Sequence, residues 1–359
     1  MVDNPDELVV DLLHLKVVED MLERLDIPYN PIADSDRDER LGLALVRGIA
    51  SMDVGEALAI VRQRCAAERD GWMPTMGRNR DVEAVVGESH KPMDGGPPGF
   101  VEGPVTIAPL GAPVDETSGR GVRVGVIDTK PAPPGTDPVP YRSGHAIFVK
   151  SLIKAYAPGA EIVELALLDS VTARASSWET ARAIMDLAAD PDRPLDILNL
   201  SLGCYTLAGG PPLVIARAIE RIGANVLVVA AAGNHGLFET LTKGRDKHSA
   251  TWPAAIPPVV AVGALDGNGA VPDWSAKLPW VQYAAPGVAI VAEYLNEAEV
   301  ELPEGRQKFT GAASWSGTSF AAAIASGAIA ARTIPGSRTP LEALEKMTGP
   351  DGGGPVRRL

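Results

Sequence analysis

Hydrophobic and polar positions follow two rhythms along this chain. Beyond about residue 120, short apolar runs rich in Val, Ile and Leu recur: GVRVGVID (121–128), AEIVELALL (160–168), DILNLSL (196–202), ANVLVVAAA (224–232) and PPVVAVGAL (257–265). Such runs predict strands buried on both faces, as in a parallel sheet. Between them, SSWETARAIMDLAA and PPLVIARAIERIG have helical patterning. Strands alternating with helices indicate an α/β domain built on a doubly wound, mainly parallel sheet with helices on both faces.

The first 75 residues read differently. Leu8, Leu12, Leu15, Val18, Leu22 and Leu25 recur at spacings of three and four and predict one helix. IPYNPIADS and ERLGLALVRG predict short strands, with DSDRDE as the turn between them. Asp53 stands three residues before Glu56, a capping-box-like start for a helix over DVGEALAIVRQRCAAE. Helix, strand, strand, helix make a small N-terminal α+β domain over 1–75. A Gly/Pro-rich linker arm is expected over 76–103, with DGGPPG at 94–99 as its least structured point. The α/β domain then occupies 104–345 and a tail 346–359.

Bulk properties narrow the function. A chain of 359 residues can bury a large core, and its net charge of -13 supplies no basic face for nucleic acid. No apolar run approaches the roughly 18 residues of a membrane span. The start, MVDNPDELVV, lacks the basic region of a secretory signal, so a soluble, cytoplasmic protein is expected. Cys65 and Cys204 are too few for a disulfide framework, and no Cys/His cluster suggests a metal.

In open α/β sheets the chemistry collects where strands end. Asp128 closes the first apolar run and Asn234 follows the fourth. Taken singly, the first reads as a cap or turn former and the second as a left-handed turn residue. His145 opens an apolar helical pattern, in which a histidine can simply pack in the core; His14, His90, His235 and His248 are weaker candidates. Ser319 lies in SGTSFAAAIASG, where a helix start favours negative charge beside the hydroxyl, although a plain Ser/Thr cap would look the same. Together the four supply a nucleophile, a base, a carboxylate to orient the base and a donor for an oxyanion, in the order Asp, His, Ser.

At these residues the sequence resembles the subtilisin-like serine peptidases, or subtilases. SGTSFAAAIASG is similar to the family's nucleophile signature, and VGVIDT around Asp128, NLSLG (199–203), AAAGN (230–234), WPAAIPPVVAVGALD (252–266) and YAAPG (283–287) fall in family order. The resemblance implies Ser319 as nucleophile, His145 as general base, Asp128 as the residue holding the imidazole, and Asn234 with the Ser319 backbone N–H as oxyanion donors. It implies that Ser201, Leu202 and Gly203, with Ala231, Ala232 and Gly233, border a substrate cleft, the first set offering a strand edge and the two glycines leaving room for a side chain. Two departures stand out: Lys130 follows Thr129 where the family has Gly, and Ala146 and Ile147 follow His145 where it has Gly-Thr.

The expected function is therefore that of a serine endopeptidase acting on intracellular polypeptides. It needs no cofactor for its chemistry, and a structural calcium is left open. The competing class is a catalytically weak or inactive subtilase-fold protein that binds peptides. The N-terminal domain resembles a propeptide only in topology; as a partner it is expected to act as an intramolecular inhibitor, its arm adding to the strand edge near Ser201 and Gly203, the alternatives being an adaptor that docks other proteins or a plain accessory domain.

Overall fold

The computed structural model describes residues 6–49, 51–85, 96–101, 115–206, 209–241, 245–348 and 357–359. Its helices, in chain order, are α1 (Leu15–Arg24), α2 (Val54–Glu68), α3 (His145–Tyr156), α4 (Ser177–Leu187), α5 (Leu213–Ile222), α6 (Thr318–Arg332) and α7 (Pro340–Thr348). The chain groups into two compact units, one of Met1–Val82, Ala175–Asp186 and Gly210–Gly223, the other of Glu83–Arg174, Leu187–Gly209 and Ala224–Leu359.

The first unit is built on a four-stranded antiparallel sheet in the order Arg37–Asp38, Leu43–Val46, Leu8–Asp11, Met76–Arg78. The helix expected to begin at Leu8 begins at Leu15 instead. LVVD at 8–11 pairs with Leu43–Val46 on one side and Met76–Arg78 on the other, so cross-strand pairing of Val-rich sequence overrides the helical spacing. Asp11 then turns the chain by accepting a hydrogen bond from the Leu13 N–H at 3.0 Å. IPYNPIADS forms no strand; Pro28 and Pro31 cannot donate to a ladder, and a 3-10 turn follows at Asp34–Asp36. Helix α2 appears where expected, with the Asp53 carboxylate accepting from the Gly55 and Glu56 N–H groups. Buried Asn79 fixes the start of α4: its Oδ1 accepts from Trp178 N–H and Ser177 Oγ, both at 2.9 Å, while its Nδ2 donates to Glu7.

The second unit holds a seven-stranded, wholly parallel sheet. Its order is Arg357–Arg358, Tyr283–Pro286, Val260–Leu265, Leu227–Ala231, Ile197–Leu200, Arg123–Thr129, Glu161–Leu168. The five strands expected from the apolar runs all lie in it. The hairpin Ile290–Leu302/Gly305–Trp315 lies outside the expected elements; its register shifts twice, around Asn296. The expected arm contains regular structure too, in strands Met76–Arg78, Asp81–Ala84 and Gly99–Phe100. His90 and the first two residues of DGGPPG, Asp94 and Gly95, lie outside the described residues. Cys65 and Cys204 are buried and are not joined in a disulfide.

Helix α6 is buried from Thr318 to Ala330 and packs against α3 and four strands of the sheet. Its small side chains allow this close approach. At Gly327 a Cβ would fall 2.8 Å from the Ile153 carbonyl oxygen and 2.9 Å from Tyr156 Cβ, both on α3. Gly327→Val should therefore lower stability by about 1–3 kcal/mol through overpacking, read as a reduced midpoint in urea unfolding. An unchanged midpoint would show that the helices have slack.

Candidate active site

The strand Arg123–Thr129 delivers Asp128 to its end as a fully buried carboxylate. Asp128 Oδ1 lies 2.7 Å from His145 Nδ1 and also accepts from the Thr129 N–H at 2.7 Å. Thr129 ties the helix to the strand, its Oγ1 accepting from the Ala146 N–H at 3.2 Å. His145 is thus held from both sides at the first turn of α3. Its ring packs edge-on against Trp315 and tilted against Phe320, with centroids 5.6 and 5.4 Å away. Its Nε2 is buried and has no hydrogen-bond partner among the described residues.

Ser319 is the second residue of α6. Its Oγ lies 3.0 Å from the Ser201 carbonyl oxygen and 2.8 Å from that of Val85, so its single proton serves one at a time. A buried polar chain positions this helix start: Ser326 Oγ donates to Asn199 Oδ1, Asn199 Nδ2 to Ser201 Oγ, and Ser201 Oγ to the Ser319 carbonyl at 2.9 Å. Asn199 and Ser326 lie inside the quoted motifs NLSLG and SGTSFAAAIASG, but nothing in the sequence alone singles out either as a site residue.

Asn234 is oriented without ambiguity. Its Oδ1 faces the Thr318 N–H, which can only donate, and also accepts from Thr318 Oγ1, each at 3.0 Å. Its Nδ2 therefore points the other way and donates to the Val85 carbonyl at 3.1 Å.

Val85, which sequence reading does not single out, is the meeting point. Residues Asp81–Ala84 form the middle strand of a three-stranded sheet between Arg174–Ser176 and Leu202–Gly203, with Ala84 opposite Leu202 and Glu83 opposite Gly203. The Ala84 N–H donates to Ala173 and the Val85 N–H to Ser201. Residues 83–85 thus add a strand to the edge expected at Ser201–Gly203. Ala231 ends the strand Leu227–Ala231, and the Ala232 carbonyl accepts from Thr251 Oγ1. The room expected beside the two glycines is taken by Thr251: a Cβ on Gly203 would meet its Cγ2 at 2.6 Å, and one on Gly233 its Oγ1 at 2.5 Å. Among the described residues, no group of three His, Cys, Asp or Glu side chains is placed to hold a metal ion. No helix among them is long and apolar enough to cross a membrane.

His235, beside Asn234, is buried, with Nε2 2.9 Å from the Ser249 carbonyl and Nδ1 3.4 Å from the Tyr205 hydroxyl. Burial pulls its pKa down to about 4 against the hydrogen bond to Ser249, and nearby Arg245 adds to the shift. Unfolded, it titrates near 6.5. As the pH falls, the unfolded chain takes up this proton first, so stability drops between about pH 6.5 and 4 by on the order of 3 kcal/mol, and no further below. Urea unfolding of His235→Gln across this window should show a correspondingly shallower loss than the parent; parallel curves would refute the assignment.

Comparison with known proteins places this geometry. The model described as the subtilase family matches residues 140–334. Serine protease AprX of Bacillus subtilis is 32% identical over 161 residues, 38% of this chain and 33% of that protein. Subtilisin E of Bacillus subtilis is 28% identical over 208 residues, 55% of this chain and 48% of that protein. The chain thus spans less than half the length of either relative. The crystal structure of fervidolysin from Fervidobacterium pennivorans, a keratinolytic enzyme related to subtilisin, shares the fold: TM-score 0.61 at 17% identity, over 92% of this chain and 54% of that one. With over half of its length inside the family match, this chain belongs to the subtilase family.

Proposed function

We propose that this subtilase is a serine endopeptidase that hydrolyses peptide bonds in polypeptides, and that its own segment ending at Val85 occupies the cleft as an intramolecular inhibitor and first substrate. The observation that carries the reading is the position of the Val85 carbonyl, whose oxygen lies 2.8 Å from Ser319 Oγ and 3.1 Å from Asn234 Nδ2. A substrate carbonyl needs such neighbours, a nucleophile and a donor for the oxygen as it becomes negative.

In this mechanism Ser319 Oγ attacks the carbonyl carbon and its proton passes to His145 Nε2. Asp128 holds the imidazole through Nδ1 and stabilises the imidazolium. Asn234 donates to the oxyanion. Collapse of the intermediate breaks the C–N bond, His145 returns the proton to the departing amine, and water then attacks the resulting ester in the same way. In the chain's own segment the bond so divided joins Val85 to Val86. Thr251, packed against Gly203 and Gly233, suits the cleft to a side chain as small as valine.

One observation favours the second reading, a peptide-binding subtilase without turnover. Ser319 Oγ is engaged by two carbonyl oxygens, while His145 Nε2 has no partner among the described residues. Activity requires Ser319 to rotate about its Cα–Cβ bond and exchange a carbonyl acceptor for the imidazole.

Labelling with a fluorophosphonate probe decides between them. The enzyme reading expects labelling at Ser319 and, in the purified full chain, the slow appearance of fragments divided after Val85. Ser319→Ala should stay intact with an unchanged fold. A parent chain that neither labels nor cleaves leaves the binding reading. Asn234→Ala should slow the division after Val85 by roughly a hundred- to a thousandfold, measured by intact mass over time; an unchanged rate would remove Asn234 from the oxyanion role.

A further inference from the structure

Resting on the proposed peptidase reading, the inference concerns what the cleft selects. Glu83 stands two residues before Val85 and directly opposite Gly203. Its carboxylate is gripped from two directions, with Oε1 3.0 Å from Arg245 Nη1 and Oε2 3.2 Å from Arg174 Nη2. The two arginines come from separate parts of the chain. Arg174 begins the strand flanking the segment on one side, and Arg245 lies in the loop beyond Asn234.

Arg245 is built in rather than laid on the surface. Its side chain is 5% exposed, and its guanidinium stacks 4.5 Å over the Tyr205 ring and 5.6 Å from that of Phe238. The planar fork of a guanidinium suits a carboxylate. Backbone pairing fixes which side chain of a bound segment reaches the two arginines. With the Val85 N–H on Ser201 and the Ala84 N–H on Ala173, any chain in this register places its side chain two residues before the scissile carbonyl beside both arginines. A neutral side chain there would forgo both charge-assisted contacts, and a basic one would be repelled.

We propose that Arg174 and Arg245 form a subsite for an acidic side chain, so that the protease selects polypeptides carrying Asp or Glu two residues before the residue whose carbonyl is attacked. Glu83 is the chain's own occupant of that subsite.

Two measurements on the full chain test this. The first requires no turnover. In a Ser319→Ala background, Glu83→Gln should speed hydrogen exchange at the Ala84 and Val85 amides by about tenfold or more, the loss expected when a charge-assisted pair becomes neutral, while exchange in Leu8–Asp11 stays as it was. Equal exchange with and without the charge would overturn the proposal. In the second, the wild-type chain is given two peptides that share Ala-Val before the cleavage point and differ in carrying Glu or Gln ahead of them. The Glu peptide should be favoured about tenfold or more in kcat/KM, and Arg174→Gln, at a half-exposed position outside the core, should cut that preference to within about threefold. Equal hydrolysis of both peptides by the wild type, or a preference untouched by Arg174→Gln, would overturn it. If neither peptide is cut and no fluorophosphonate label appears, the peptidase reading falls, and the exchange measurement alone decides whether the arginines form an acidic subsite.

Discussion

The close packing of α6 against α3 is the constraint on which the rest of the site depends. Each helix carries a candidate site group in its first turn, His145 on α3 and Ser319 on α6, so the separation of the two helices bears directly on the separation of those groups. Gly327 lets the backbones approach, and the chain Ser326–Asn199–Ser201 then pins α6 along its length to the neighbouring strand. Apolar packing decides the distance, and directional hydrogen bonds decide the rotation of the helix about its axis. Neither alone would place one hydroxyl to a fraction of an ångström.

The segment Glu83–Val85 is held by complementary means. Main-chain bonds to Ala173 and Ser201 fix its register, because a slip by one residue would turn every side chain to the opposite face. Asn234 and Ser319 then meet a carbonyl oxygen, a group every residue possesses. Backbone therefore sets the position of this segment, whatever its side chains.

What can be read in the sequence follows from this division of labour. Four of the five expected strands are legible because they are buried on both faces and so written as nearly unbroken apolar runs, whereas Glu161–Leu168, at the sheet edge and largely half-buried or exposed, is legible from its Ile, Val and Leu content alone. Asp128, His145, Asn234 and Ser319 are legible because each closes or opens such an element; the structure brings Asp128 to His145, and Asn234 and Ser319 to one carbonyl oxygen. Val85 is illegible, since what it contributes is a backbone atom. Arg174 and Arg245 are illegible because their common partner, Glu83, is distant in sequence. The strand at Leu8–Asp11 reads as helix because leucines at helical spacing continue directly into α1, and only pairing with 43–46 and 76–78 distinguishes the two.

The alanine-rich interior of α6 also bears on how the site moves. From Thr318 to Ala330 every residue is buried, and most are Ala, Gly or Ser, which have few or no rotamers to freeze. Folding this helix therefore costs little side-chain entropy, at the expense of a modest apolar area. The same poverty of rotamers means that the helix has almost no internal substates once packed. Ser319 is mounted on an element with few side-chain rotamers of its own, so its χ1 torsion is a soft coordinate set on a stiff support.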